Sequence, residues 1–327
     1  MKQVNHRNAN LRSIIIMAVA LTVGAGVSGF GGSANAADYY VDTNGSDTTG
    51  DGSQGDPWKT IEYAVEQQAV SGDMVYVNDG TYTEGQLNVP EGVDITSVSQ
   101  NAGLVIVQPN WSTENHKIPL LKLSSTQGIN NPTGNSITYL TLDGDGTSGV
   151  NRVTGAIGIF ERDNVEIAHC IVRDFWYNTI NTVDRIIYTT VAADPTKMWW
   201  DIWPKDAGLD GDDTNLDTNW PVTAVNHIEN FQFHHNTVTN CGNAVSQRDG
   251  FVLALWCTKD SGIYNNIIDA RGKPGTECIG GNSPTADLSG CLWNVDIYNN
   301  TGNRSQVFRL SGPKEAVKVQ KAVTVHA

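Results

Sequence analysis

Four stretches in the second half of the chain repeat one alternation of apolar and polar positions: NVEIAHCIVRDF (164–175), NFQFHHNTVTNC (230–241), DSGIYNNIIDAR (260–271) and NVDIYNNTGNRS (294–305). They align without gaps, and their starts are 66, 30 and 34 residues apart. The fourth position is always Ile or Phe: Ile167, Phe233, Ile263 and Ile297. The sixth and seventh read His169-Cys170, His235-Asn236, Asn265-Asn266 and Asn299-Asn300. Alternation on either side of this pair predicts a short strand, a sharp two-residue corner and a second short strand. Asn suits such a corner because it tolerates the left-handed backbone and its amide bonds to the backbone or to another Asn. Stacked copies therefore predict an asparagine ladder through Asn236, Asn266 and Asn300. A unit recurring about every 30 residues, with one long interruption, is a turn of a solenoid. The competing reading, an antiparallel sandwich, makes the alignment a coincidence.

Earlier in the chain, short apolar runs bounded by Gly, Asn, Pro or Ser predict strands at Val93–Thr96, Leu104–Val107, Leu120–Leu123 and Ile137–Leu142. SITYLTLDGDG reads as an earlier coil, ahead of the copy at Asn164. GAIGIF (155–160), FVLALW (251–256) and VFRL (307–310) supply the first strand of their coils, and the repeated phrase supplies the second and third. This organisation resembles the right-handed parallel β-helix of the pectate-lyase-like superfamily. The resemblance covers most of residues 39–310 and implies an all-β solenoid with three short parallel strands per coil. YYVDTNGSDTTGDGSQGDPWKTIEYAVEQ resembles the N-terminal cap of secreted β-helix proteins: a strand at Tyr39–Val41, a Gly/Asp loop, then a helix at Thr60–Gln68 with Ile61, Ala64 and Val65 on one face. Residues 37–84 thus read as cap and first coil. Asp42, Asp47, Asp51 and Asp56 read as turn formers, with metal ligation as the alternative.

Residues 1–36 have the form of a secretory signal peptide, with Lys2, Arg7 and Arg12, an apolar run from Ile14 to Val27, and Ala34-Asn35-Ala36 before the cut. An uncleaved anchor is the alternative. Removing these residues takes the formal charge from −14 to −17, a body that repels nucleic acid and anionic membranes. Residues 37–327, lacking a Pro- or Ser-rich linker, read as a single domain, exported to the cell surface, periplasm or medium, with no membrane insertion after cleavage. Past Leu310 the sequence is too short for another full coil, and reads as a capping element or a truncated end.

Trp176–Val225 interrupts the repeat and holds five of the nine tryptophans. Insertions in solenoids collect on the functional face; a lid packing its indoles on the solenoid is the alternative. Five cysteines in an exported chain permit disulfides. Corresponding loops of successive coils favour Cys241–Cys278 and Cys257–Cys291, leaving Cys170 a buried thiol at the ladder position.

No hydrolase elbow, phosphate loop, dinucleotide fingerprint or zinc-protease motif is present. The resemblance implies a carbohydrate-active protein whose polysaccharide lies along a groove on the first sheet. Lyases of this fold remove the C5 proton beside a uronate carboxylate with a Lys or Arg base, while Ca²⁺ neutralises the carboxylate. On that basis Arg162, Arg248, Asp249 and Lys259, which flank first strands, are the candidate catalytic residues, and Lys259 the candidate base. Exposed salt bridges between coils are the plainer reading of the same residues. Trp199, Trp200, Trp203 and Trp220 are candidate sugar-stacking residues. Asp213, Asn215 and Asp217 form D-x-N-x-D, a calcium-type spacing, although Thr218 and Ala224 break the EF-hand pattern. His169 and His235 share a corner position and read as stacked polar residues rather than catalysts. A hydrolase would need a carboxylate pair, for which Asp143, Asp145, Asp249 and Glu277 are available. The functional expectation is a lyase acting on a uronate-containing polysaccharide. A non-catalytic carbohydrate-binding or adhesive solenoid, a glycoside hydrolase and a purely structural solenoid are the alternatives.

Overall fold

The computed structural model describes residues 36–111, 119–125, 133–144, 155–160, 162–175, 180–183, 228–241, 251–255, 258–269, 277–282, 292–302, 308–311, 317–319 and 324–325. Among these residues, the strands of the compact unit Asn35–Ala327 form three sheets of seven, ten and eight strands, and the ladders between them are parallel. Sheet 1 stacks Leu87–Val89, Pro119–Ser124, Gly155–Phe160, Ile180–Val183, Phe251–Leu255, Glu277–Asn282 and Phe308–Ser311. Sheet 2 runs from Asp38–Val41 through Ser136–Thr138, Glu166–Ala168, Gln232–His234, Thr258–Tyr264 and Leu292–Tyr298 to Val317–Val319. Sheet 3 runs from Gly80–Glu84 through Thr141–Asp143, Ile171–Arg173, Thr237–Thr239 and Ile267–Asp269 to Thr324–Val325. The chain visits the three in turn, which is a parallel β-helix and excludes the antiparallel alternative.

The core is built from columns, because register places equivalent residues over one another. Ile137, Ile167, Phe233, Ile263 and Ile297 are consecutive ladder partners in sheet 2, and all are fully buried. Leu142, Val172, Val238 and Ile268 do the same in sheet 3. The Ser136–Thr138 strand pairs with Glu166–Ala168 at an offset of 30 residues, the length of one coil.

At each corner the left-handed residue is the outer one. His169, His235, Asn265 and Asn299 have φ between 53° and 57°. The ladder is made by the next residue inward, so the two corner tasks fall on different residues. Asn236 Nδ2 donates to Asn266 Oδ1 (3.1 Å) and Asn266 Nδ2 to Asn300 Oδ1 (2.8 Å), and each amide also donates to a carbonyl of the preceding coil. Cys170 continues this column as a buried thiol, and its backbone N–H donates to Asn236 Oδ1.

Four expectations change. Ile180–Val183 is a sheet 1 strand, so the long interruption follows a complete first strand instead of replacing it. ECIGGN (277–282) is another first strand, hidden by its two glycines. Val317–Val319 and Thr324–Val325 add strands to sheets 2 and 3, so the chain past Leu310 contributes to a further coil. Cys241 is a thiol rather than half of a bridge to Cys278, because its side chain points into the core beneath the Thr239 and Val172 carbonyls instead of into a loop. The side chains of Cys257, Cys278 and Cys291 lie outside the described residues.

The N-terminal helix spans Ile61–Gln68, its second half wound as a π-helix, and buries Ile61, Ala64 and Val65. Glu84 accepts the N–H groups of Ile61 and Glu62. Glu66 accepts the edge N–H of Asn88 on the terminal strand of sheet 1, which closes an otherwise open pairing site. Asp42, Asp47 and Asp51 accept backbone N–H groups and shape the preceding loop. Among the described residues no helix is long and apolar enough to cross a membrane.

Candidate functional site

The most concentrated polar chemistry among the described residues lies outside the corner between sheets 2 and 3. Two columns of rings run along it. Tyr139, His169 and His235 stack with centroids 4.8 and 4.9 Å apart. His234, Tyr264 and Tyr298 stack at 4.7 and 4.9 Å. Spacing of this size is set by the parallel ladder, which brings equivalent residues within about 4.8 Å of each other. The rings touch face to face along the axis, so their edges, not their faces, turn outward.

A directed chain of hydrogen bonds joins the columns. Asn265 Nδ2 can only donate, so His235 Nε2, 3.1 Å away, accepts. The proton of neutral His235 is then on Nδ1, and it donates to His234 Nδ1 at 2.9 Å. His234 carries its own proton on Nε2 and donates to Glu166 Oε1 at 3.0 Å. Ser136 Oγ donates to the other Glu166 oxygen at 2.7 Å. The bond from His234 holds the Glu166 carboxyl below its ordinary range, although burial opposes this. Partial burial and then the neighbouring imidazoles lower the pKa of His169, which favours its neutral form at pH 7. Burial raises the pKa of Tyr264, which stays a phenol.

The residues singled out in the sequence are distributed differently. Arg162 is fully buried: it donates to Val89 O (2.8 Å), Asn135 Oδ1 (2.7 Å), Ser125 Oγ (3.2 Å) and Ser124 O. Burial pushes its pKa down to about 10, so it remains a cation that ties three coils together inside the solenoid. That position corrects its assignment to a groove surface. Lys259 lies on sheet 2, not beside a first strand of sheet 1. Its ammonium is 2.8 Å from Glu229 and 3.6 Å from Asp260, and the Glu229 bond raises its pKa, the wrong direction for a base at neutral pH. Asp143, weighed for hydrolysis, is paired with Arg173 at 2.8 Å. Arg248, Asp249, Trp199, Trp200, Trp203, Trp220, Asp213, Asn215 and Asp217, together with Asp145, lie outside the described residues; Glu277 is described in its backbone alone.

Sequence reading placed His169 and His235 correctly as a stacked corner pair. It passed over His234, Tyr264, Tyr298, Glu166 and Ser136. The signal was available in the columns of the aligned phrase, whose fifth position reads Ala168, His234, Tyr264, Tyr298.

Three parallel sheets wound coil on coil, with a polar ladder at one corner, define a parallel β-helix. No protein-family model matches the chain, and no curated protein matches it. Among solved structures, a rhamnogalacturonan lyase aligns over 88% of this chain and 65% of its own, at 14% identity and a TM-score of 0.47. A complex of XylC with xylose aligns over 84% and 60%, at 13% identity and a TM-score of 0.45. Pectin methylesterase PemA from Erwinia chrysanthemi aligns over 84% and 80%, at 9% identity and a TM-score of 0.42. The chain thus spans 65% and 60% of the length of the first two, and its fold assignment stands on its own sheets.

Proposed function

We propose that this β-helix is an exported carbohydrate-active protein that engages a polysaccharide along the ring-edge strip of His169, His234, His235, Tyr264 and Tyr298. Ring edges present imidazole nitrogens and phenol hydroxyls, which suit the dense donor and acceptor pattern of sugar hydroxyls. The carrying observation is the directed chain Asn265–His235–His234–Glu166, which fixes tautomers beside an imidazole favoured in its neutral form.

The reaction we assign is β-elimination from a uronate-containing chain. Neutral His169 takes the C5 proton, a C4–C5 double bond forms as the C4–O bond breaks, and solvent protonates the departing oxygen. Stacking of sugar faces on Trp199, Trp200, Trp203 and Trp220, and calcium held by Asp213, Asn215 and Asp217, belong to the same proposal. Non-catalytic binding is the second reading, favoured by the fact that the His234 nitrogens are both engaged with other side chains.

The test is the ultraviolet absorbance of unsaturated uronate released from pectate, alginate and glycosaminoglycans, with and without Ca²⁺, alongside a binding assay on the same panel. Product formation that falls by about 10²-fold or more in His169→Asn supports the lyase. Retention without product leaves the binding reading. Neither product nor retention overturns both.

A further inference from the structure

We propose that His169, His234 and His235 form a binding site for a divalent transition-metal ion of the zinc type. This inference stands on the cluster alone, and an ion on His169 would occupy the nitrogen that takes the C5 proton in the reading above, so the two roles exclude each other at that ring. The candidate ligand atoms of the three rings lie within 4.8 Å of one another. A tetrahedral ion with metal–nitrogen bonds of about 2.0–2.1 Å needs its ligand nitrogens about 3.3 Å apart. His234 Nδ1 and His235 Nδ1 are 2.9 Å apart and are bridged by one proton, whose place an ion would take with a small opening.

The surroundings match what a metal-bound imidazole requires. His234 is the fixed ligand, because its Nε2–H is held by Glu166 and Glu166 is held by Ser136. A carboxylate behind a ligating His sets the tautomer and aims the opposite nitrogen at the metal. The His234 side chain is only 12% exposed, so this orientation is also packed in place. Asn265 can serve His235 in the same way. When the His235 proton moves from Nδ1 to Nε2, a turned Asn265 amide offers Oδ1 to accept it, and no net proton leaves the ring. The rings of His169 and His235 stand nearly perpendicular to that of His234, at 88° and 87°, and both are exposed. Side-chain rotation of these two can therefore close the ligand set around the anchored third. Neutral imidazoles select Zn²⁺, Ni²⁺ or Cu²⁺ over the oxygen-seeking Ca²⁺. Three ligands on an outer corner leave a fourth position to water.

The test uses the full chain, stripped of metal, equilibrated with Zn²⁺ and dialysed. One retained equivalent is expected, and Co²⁺ in its place should give the visible bands of a four-coordinate nitrogen site. His169→Asn and His235→Asn should each lose the equivalent. Both should fold, since Asn265 and Asn299 already occupy the same left-handed corner position. Glu166→Gln keeps all three ligands and should weaken Zn²⁺ binding by about 10- to 100-fold. Lowering the pH from about 7.5 to about 5.5 should release the ion as the imidazoles protonate. Zn²⁺ lost from the unaltered chain on dialysis would overturn the proposal. So would an equivalent held equally by both His→Asn variants, which would put the ion on another part of the chain.

Discussion

Two columns run side by side along the same corner, one residue apart in sequence, and they obey different rules. The inner column, Asn236, Asn266 and Asn300, is 1% exposed and repeats one residue type, each amide bonded to the next. The outer column, Tyr139, His169, His235, Asn265 and Asn299, shares a backbone conformation but varies in chemistry. An unpaired amide inside costs its full desolvation, so an Asn placed there needs a matching partner in the next coil. Outside, water substitutes for any missing partner and the side chain is released from that demand. In a solenoid, identity along a column marks structure, and departure from identity on an exposed column marks where chemistry can be placed.

The sharpest way to break this contrast is Asn266→Ala, which strands the Asn236 N–H in the interior and takes the amide donor from the Phe233 carbonyl, while Asn300 Oδ1 keeps the backbone N–H of residue 266. A loss of about 2–5 kcal/mol is expected, from two such groups at about 1–3 kcal/mol each. Denaturant unfolding measures it; a loss under about 1 kcal/mol would mean the ladder is incidental. Arg162→Met removes a buried cation with four acceptors and should cost about 3 kcal/mol, with turnover or retention per folded molecule unchanged. A variant that folds normally yet loses function would return Arg162 to the site.

A third change adds charge to the comparison. Asp163 is buried beside exposed Asn164, and burial pushes its carboxyl up to about 6. A raised carboxyl contributes stability below its unfolded pKa of about 4, and the contribution fades as pH rises through about 6. Asp163→Asn keeps an oxygen for the Glu229 N–H, which Asp163 accepts at 2.8 Å. It should flatten this part of the pH profile and stabilise the protein by about 1–3 kcal/mol at pH 7. An unchanged slope between pH 4 and 6 would show that Asp163 titrates normally.

Lys259→Met, at an outer ion pair, should shift stability by no more than about 1 kcal/mol. If Lys259 has no part in the chemistry, rate measurements on the same variant stay at the unaltered value. The smallest effect belongs to Asn230→Gly. It removes an outer amide bond to Asn164 of 2.9 Å and keeps a left-handed position at φ 56° supplied, so a change of a few tenths of a kcal/mol is expected. Asn230→Gly falling as far as Asn266→Ala would mean that an exposed left-handed corner residue carries as much stability as a buried one.

Most of the fold was legible because coil periodicity is a property of sequence. The alignment that put Ile167, Phe233, Ile263 and Ile297 at one position is the alignment that register enforces. Strands Ile180–Val183 and Glu277–Asn282 escaped because INTV and ECIGGN lack the dense apolar run of GAIGIF. The site was harder to read. Charged residues near strand ends drew attention to Arg162 and Lys259, but sequence does not say which side of a corner a side chain takes, and Arg162 went inward. The chain from Asn265 to Glu166 joins residues 99 positions apart and exists only once three coils are stacked.

The corner also makes the chain divisible. Because Asn236 and Asn266 occupy the same place in consecutive turns, joining Asn236 directly to Ile267 would excise one whole turn of 30 residues and leave Asn236 over Asn300. Both cut ends meet in the same backbone conformation, and no strand is severed. Length in this molecule can therefore change by whole windings, with each surviving winding keeping its neighbour's hydrogen bonds. Circular dichroism and cooperative melting of a chain lacking residues 237–266 would show whether the seam closes.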